Sequence, residues 1–332
     1  MDLLHLAGAT TTPFYRDLSL TYQRNVVTPT GTHASLLVVD PDGNLHFGRN
    51  QEDLAPITLA DALHRAAAMD VVVPHMFCPP GMTSWRSLFE DVAGVPVVGP
   101  PLLATTLSTS KLATKSVARA AGVATPDSRR LRPGDRPDLP LPLIVKPDAE
   151  DNSLGLTLVR DPADLGPALD TVFAHGDTAL AERFIPGREV RVGVLDLDGA
   201  PRVLPILEYH VTADRPIRER ADKVMLDDAG RVTMESWERP SLPTTCPADL
   251  GPDTLRALRD AALTMHEVLG CRDYSLFDFR IEDGTKTPYL LEACSFWTFT
   301  PVSVISRMVE AEGGDLVDVS RRVWAQAAAR KK

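Results

Sequence analysis

The first hundred positions carry short apolar runs, DLLHLAG, ASLLVVD, DVVVPHMF and VPVVG, which predict strands. Between them the apolar spacing over 59–69 follows a helical period. Strands interleaved with a helix make residues 1–100 a small α/β layer unit. The pattern changes at LSTSKLATKSVARAAGV, a helix capped by Ser108, Thr109 or Ser110 and ended at Gly122, with Lys111 and Lys115 one turn apart. LPLIVKPDAEDNSLGLTLVRD then predicts a strand, a polar turn containing Gly155 and a second strand, followed by a helix over 162–175.

Further strands are predicted in TALAERFIP and in REVRVGVLDLDGAPRVLPILEY, the latter a hairpin turning at Asp198-Gly199. Residues 221–252 are polar and irregular, long enough for a functional loop. A helix over 252–270, the hairpin YSLFDFRIEDGTKTPYLLEAC and a helical tail from Val302 complete the chain. Within that hairpin a period of two puts Leu276, Asp278 and Arg280 on one face, and sets Tyr289, Leu291 and Ala293 against Glu292. Asp278 and Glu292 then lie side by side on paired strands.

Composition narrows the function classes. The 332 residues are 44% hydrophobic, enough for two or three subdomains with a sizeable core. No apolar stretch approaches the roughly 20 residues that span a bilayer, and residues 1–20 lack the features of a signal peptide, so a cytoplasmic protein with no membrane partner is expected. The four cysteines form no CxxC pair, which fits reduced thiols and neither disulfide framework nor zinc knuckle. With 35 Lys plus Arg against 45 Asp plus Glu the net charge is -10. That balance disfavours a nucleic-acid partner and requires local cations for any anionic ligand.

Two carboxylates on adjacent strands suit Mg²⁺, which takes few protein oxygens and leaves its other positions to water and phosphate. Lys146 on an apolar strand and Lys111 at a helix start suit the phosphates of a nucleotide. The chain has neither GxxxxGK[ST] nor a GxGxxG between strand and helix, so another nucleotide scaffold is needed.

Four stretches in order supply one. VVGPPLLATTLSTSKLATKSVARAAGVATP, PLIVKPDAEDNSLGLTLV, ALAERFIPGREVRVGVL and LGCRDYSLFDFRI with PYLLEACS resemble successive parts of the ATP-grasp superfamily, in its D-alanyl-D-alanine-ligase-like branch. The resemblance implies an α/β (α+β) ATP-grasp fold of three subdomains, with ATP held between two α+β lobes. Its divisions are an N-terminal unit at 1–100, a central lobe at 101–185 and a C-terminal lobe with the metal site at 186–332.

Carried over by position, it implies that Lys111 and Lys146 contact ATP phosphates, and that Glu182, Arg183, Phe184 and Ile185 hold the adenine edge. Glu189 takes the ribose, and Asp278 and Glu292 take Mg²⁺. The loop from Glu150 through Ser153 to Gly155 closes over the transferred phosphate, and Lys223 closes the site from the irregular segment. His75 and Ser303 match substrate-side positions. The reaction implied is phosphorylation of an oxygen of one substrate, then displacement of phosphate by the amine of an amino acid. A homodimer is common in that branch.

Departures fall mostly on the substrate side. Cys294 stands where the D-alanyl-D-alanine ligases have a metal-ligating Asn, and a thiol is a poor partner for Mg²⁺. Leu276 stands where they have an Arg that steadies the acyl intermediate; Arg280, one step along the same face, is the candidate replacement. Tyr15 and its neighbours replace a glutamate that holds the substrate ammonium, and Trp297 and Phe299 offer flat faces to a larger substrate.

A narrower resemblance, in FYRDLS, PHMFCPPGMTSWRSLF, DNSLGLTLVRD, PIRERADK, YSLFDFRI and SVIS, is to the ATP-grasp ligase of mycosporine-like amino acid biosynthesis. It implies an amino acid joined to a mycosporine-glycine-like natural-product precursor. The alternatives are a D-alanyl-D-alanine-type dipeptide ligase and a degenerate nucleotide-binding protein. Bland readings stand beside the functional ones: His75 and Trp297 as core residues, Cys294 as a small buried hydrophobe, Lys115 and Lys223 as solvated charges.

Overall fold

A computed structural model describes residues 1–331 other than 150–152, 220–221, 223–224, 227–231 and 234–241. The described residues form three main sheets in succession. The first unit runs β1 (Asp2–Gly8), α1 (Pro13–Arg24), β2 (His33–Val39), β3 (Leu45–Gly48), β4 (Ala55–Pro56), α2 (Leu59–Ala67) and β5 (Val71–Pro74). Its sheet has the order β4-β3-β2-β1-β5, with β1 parallel to both β2 and β5. Only Asp2 of β1 is exposed, as expected of a parallel strand covered on both faces.

Two features of this unit differ from the sequence reading. VPVVG makes only a parallel bridge between Val97 and Val72 rather than a full strand. The stretch from Pro13 is a helix that the apolar runs did not announce. Thr12 Oγ1 caps it by accepting from Tyr15 N at 3.2 Å, and Pro13 supplies a preset φ at the first turn. Two wide π-helical turns, Gly81–Trp85 and Leu88–Val92, were likewise not anticipated.

The chain continues through α3 (Leu102–Thr109) and α4 (Lys111–Ala120) into a sheet of β6 (Ser128–Leu131), β7 (Leu143–Pro147), β8 (Thr157–Val159) and β9 (Ala179–Arg183). This sheet is antiparallel, ordered β6-β9-β7-β8. Helix α5 (Leu165–Phe173) contributes Ala168, Leu169 and Val172 to its core. Gly187 then turns the chain into the third sheet. Its φ is +134°, and a Cβ there would stand 2.1 Å from Ile281 O, so glycine is required.

The third sheet comprises β10 (Gly187–Leu197), β11 (Ala200–Val203), β12 (Leu207–Tyr209), β15 (Thr244–Thr245), β16 (Tyr274–Glu282) and β17 (Pro288–Cys294). A small separate hairpin is made by β13 (Met225–Leu226) and β14 (Val232–Thr233). The expected turn at Asp198-Gly199 joins β10 to β11.

Strand alternation divides the third sheet into two chemically different faces. Val190, Val192, Val194, Phe277, Phe279 and Ile281 pack against Leu258, Ala262 and Met265 of α6 (Pro252–Val268). Each such side chain fully buried contributes about 1.5–3 kcal/mol. Ala118 and Val123, at and after the end of α4, join this same core. The opposite face carries Glu189, Arg191, Asp278 and Arg280, and it is this face that builds the site. Helices α7 (Val304–Ala311) and α8 (Leu316–Ala328) make the predicted helical tail as two pieces. No helix among the described residues is long and apolar enough to cross a membrane.

Candidate active site

A cleft lies where the second and third sheets face each other. Along one wall Lys146 of β7, opposite Leu180, reaches diagonally to Glu182 of β9, beside Phe184 and Ile185. Along the other, β10, β16 and β17 contribute Glu189, Asp278, Arg280 and Glu292. Lys111 opens α4 at the junction. It is 9% exposed, with Nζ 3.7 Å from Glu292 Oε2 and 3.4 Å from Asp148 O. Asp148 also fixes the helix start, accepting from Leu112 N at 2.8 Å and from Ser110 Oγ at 2.7 Å.

Asp278 and Glu292 are register partners across β16 and β17, as alternation predicts. The alternation breaks immediately afterwards: Phe279 pairs with Leu290, so Leu291 is an extra residue in a bulge. Both Leu291 and Glu292 consequently line the cleft. Asp278 accepts from Arg191 Nε at 2.7 Å and Nη2 at 3.1 Å, and from Arg218 Nη2 at 3.0 Å. Arg218 also bonds Glu189 through Nε and lies 3.9 Å over the Tyr209 ring. Burial opposes the charge on Arg191, yet Asp278 holds its pKa well above the ordinary arginine value.

Glu182 is a buried carboxylate between two lysines. Its Oε1 lies 2.6 Å from Lys146 Nζ and its Oε2 lies 2.8 Å from Lys115 Nζ. Burial would raise its pKa, but the two ammoniums hold it below the usual carboxylate range. The expectation that Lys115 is solvated is therefore corrected: it is 0% exposed, because α4 turns it inward toward Glu182. Arg183 pairs with Glu282 at 2.8 Å at the rim.

Arg280 stands on the expected face beside Asp278 and lines the cleft. Its Nη1 donates to Pro216 O at 2.6 Å and lies 3.4 Å from Glu189, its Nη2 donates to Gly187 O at 2.7 Å, and its guanidinium covers Phe184. Its guanidinium is thus engaged beside Glu189. The guanidinium that reaches both oxygens of Asp278 is Arg191, which the REVRVGV alternation puts on this face with Glu189. The places of Arg218 and Lys115 are not legible in the sequence because their partners lie 60 and 67 residues away.

Ser153, with a left-handed φ of +56°, donates from Oγ to Arg218 O at 2.9 Å and lines the cleft. Lys223 and residues 150–152 lie outside the described residues. The four substrate-side candidates do not line this cleft. Trp297, expected to offer a face to a substrate, is corrected to a core residue, 1% exposed and stacked 4.5 Å from Tyr274. His75 is 1% exposed and bonded to His5 at 2.9 Å. Tyr15 packs edge-on to Phe77, and Ser303 Oγ caps α7 by accepting from Ser306 N.

Residues 134–323 match the family described as D-ala D-ala ligase C-terminus. A D-alanine–D-alanine ligase of Nitratidesulfovibrio vulgaris is 33% identical over 265 residues, covering 78% of this chain and 81% of the relative. The chain belongs to the D-alanine–D-alanine ligase family. It is an ATP-grasp ligase of that family, and solved structures bear out the fold. The D-alanine-D-alanine ligase of Coxiella burnetii superposes with a TM-score of 0.78 at 19% identity, over 100% of this chain and 94% of its own. The Bacillus anthracis D-alanine–D-alanine ligase complexed with ATP gives 0.73 at 18% identity, over 99% and 98%.

Within that family fold, Asp278 and Glu292 supply two hard oxygen donors on one sheet face. Among the described residues no group of three or more His, Cys, Asp or Glu could hold a metal. Two carboxylates fit Mg²⁺, which keeps waters and takes phosphate oxygens.

Proposed function

We propose that the chain is an ADP-forming ligase of the dipeptide type, which activates a carboxylate with ATP and joins it to the amine of an amino acid. The γ-phosphoryl passes to an oxygen of the first substrate and ADP leaves. The amine nitrogen then attacks the activated carbon, loses a proton, and phosphate departs with that oxygen. The carrying observation is that Lys111, Lys146 and the Asp278–Glu292 pair line one cleft together with Phe184 and Ile185. The names of the relatives support the same reading.

In this reading Lys111 and Lys146 neutralise the phosphates, Glu189 takes the ribose, and the chain from Glu182 to Ile185 borders the adenine. Mg²⁺, when bound by Asp278 and Glu292, supplies charge neutralisation across the phosphate oxygens. Arg218 holds Asp278 and Glu189 in the absence of nucleotide, and Ser153 ties the phosphate loop to it. Lys223 closes the site. The protein's part is positioning and electrostatics.

A second reading, a ring-bearing first substrate of the mycosporine-glycine kind, is favoured by Leu276. That side chain is 4% exposed and packs in the apolar core with Tyr274 and Trp297, leaving no cation at its position. An ADP-release screen over D- and L-amino-acid pairs, and over mycosporine-glycine with each amino acid, separates the two. Release with alanine pairs supports the first, release only with the ring substrate the second. AMP formation contradicts both.

A further inference from the structure

Lys115 does not line the cleft, yet two side chains that do depend on it. Its Nζ lies 2.8 Å from Glu182 Oε2 and 3.0 Å from Thr125 Oγ1, and within 3.5 Å of Leu290 O. Thr125 Oγ1 in turn donates to Leu290 O at 2.9 Å, so the ammonium is pinned from α4, β9, β17 and the segment before β6. The second oxygen of Glu182 is left to Lys146 Nζ, 2.6 Å away and facing the cleft. One turn of α4 therefore reaches the same end of the cleft twice, directly through Lys111 and indirectly through Lys115, Glu182 and Lys146.

Charge gives this chain of contacts a purpose. Two ammoniums around Glu182 leave this trio with one unit of positive charge, facing Glu292 and Glu189 across the cleft, and removing Lys115 leaves the trio neutral. A buried cation is costly, so a structural pair alone needs only one lysine here. The excess charge suits an anion in the cleft.

We propose that Lys115 is a positioning residue for phosphate binding: it holds one oxygen of Glu182 so that the other fixes Lys146 in the cleft, and it keeps the cluster net positive. The proposal rests on the nucleotide reading above.

The test is binding of a non-hydrolysable ATP analogue and of adenosine, which has no phosphate, to the full chain and to Lys115→Met and Lys115→Arg. Lys115→Met weakens the ATP analogue about tenfold, leaves adenosine within about twofold, and Lys115→Arg recovers most of the loss. Burial pushes the Lys115 ammonium down to about 8 against the pull of Glu182, with Lys146 and Arg119 adding to the depression. Wild-type affinity for the analogue therefore falls as pH rises through about 8, while adenosine stays level. That measurement decides the matter if Lys115→Met does not fold. Unchanged analogue binding in Lys115→Met, equal loss of both ligands, or a flat wild-type pH profile overturns the proposal alone. A wild-type chain that binds neither ligand overturns the nucleotide reading with it.

Discussion

Arg218 Nη2 lies 3.0 Å from Asp278 Oδ2 while the same guanidinium bonds Glu189. One side chain from the segment after β12 thus occupies two carboxylates of the third sheet, both lining the cleft. Arg218 is 5% exposed, and burial, which opposes its charge, is outweighed by Glu189, Tyr209 and Asp278, which raise its pKa. A ligand that uses either carboxylate competes with this guanidinium for acceptor positions.

Arg218→Ala should accordingly lower the Mg²⁺ concentration needed for nucleotide binding, read from Mg²⁺ titrations with an ATP analogue. It should also lower the melting temperature without Mg²⁺, since removing one member of a buried ion network costs about 3–5 kcal/mol. Saturating Mg²⁺ and analogue should restore much of that loss. A variant needing more Mg²⁺ than wild type would show that Arg218 assists binding instead.

Asp278→Asn and Glu292→Gln should each cut turnover by about a hundredfold or more through loss of the negative charge that would hold the metal. Their stabilities should differ. Asp278 is 3% exposed and answers two arginines, so its amide takes the carboxylate from Arg191 and leaves Arg218 only Glu189. Glu292 is only partly buried, with its side chain 23% exposed, and its amide should melt close to wild type. Thermal melts beside activity assays separate the two effects.

Acid should destabilise the fold through the His5–His75 pair. Burial lowers the pKa of His5 to about 4, and burial with the neighbouring His5 lowers that of His75 well below its ordinary value. Both rings are neutral in the folded chain near neutrality, and the unfolded chain binds more protons below about pH 6.5. Stability therefore falls as pH drops from about 6.5 towards 4, by about 3 kcal/mol for His5 over that range. Melting temperatures across this window should fall less steeply in His5→Gln, and equal slopes would place the acid sensitivity elsewhere.

These residues also show what a sequence can and cannot disclose. The Asp278–Glu292 pairing was legible because two strands joined by a short turn fix their own register. Helix α1 carries a start signal in Thr12 and Pro13 but a weak apolar pattern, since only Tyr15, Leu18 and Ser19 are buried on it. The Leu291 bulge was not legible, because an extra residue is defined only against its partner strand. Nor were the inward turn of Lys115 and the reach of Arg218, which follow from packing between elements far apart in the chain. Trp297 misled for a related reason: an aromatic near a site is equally suited to a core, and here Tyr274 takes its face.

Replacing Thr12 by Ala tests helix α1. Loss of the bond from Tyr15 N should cost about 1 kcal/mol of stability, measured by denaturant unfolding, with nucleotide affinity unchanged because α1 does not border the cleft.

Activation of an oxygen by phosphoryl transfer is the step on which the ligase reading stands, and isotope transfer tests it most directly. With a substrate pair found by the ADP screen, the oxygen to be activated in the first substrate is labelled with ¹⁸O and the released phosphate is analysed by mass. The predicted result is one ¹⁸O in each phosphate, one ADP for each C–N bond, and no product without the second substrate. Unlabelled phosphate, or AMP with pyrophosphate, contradicts it.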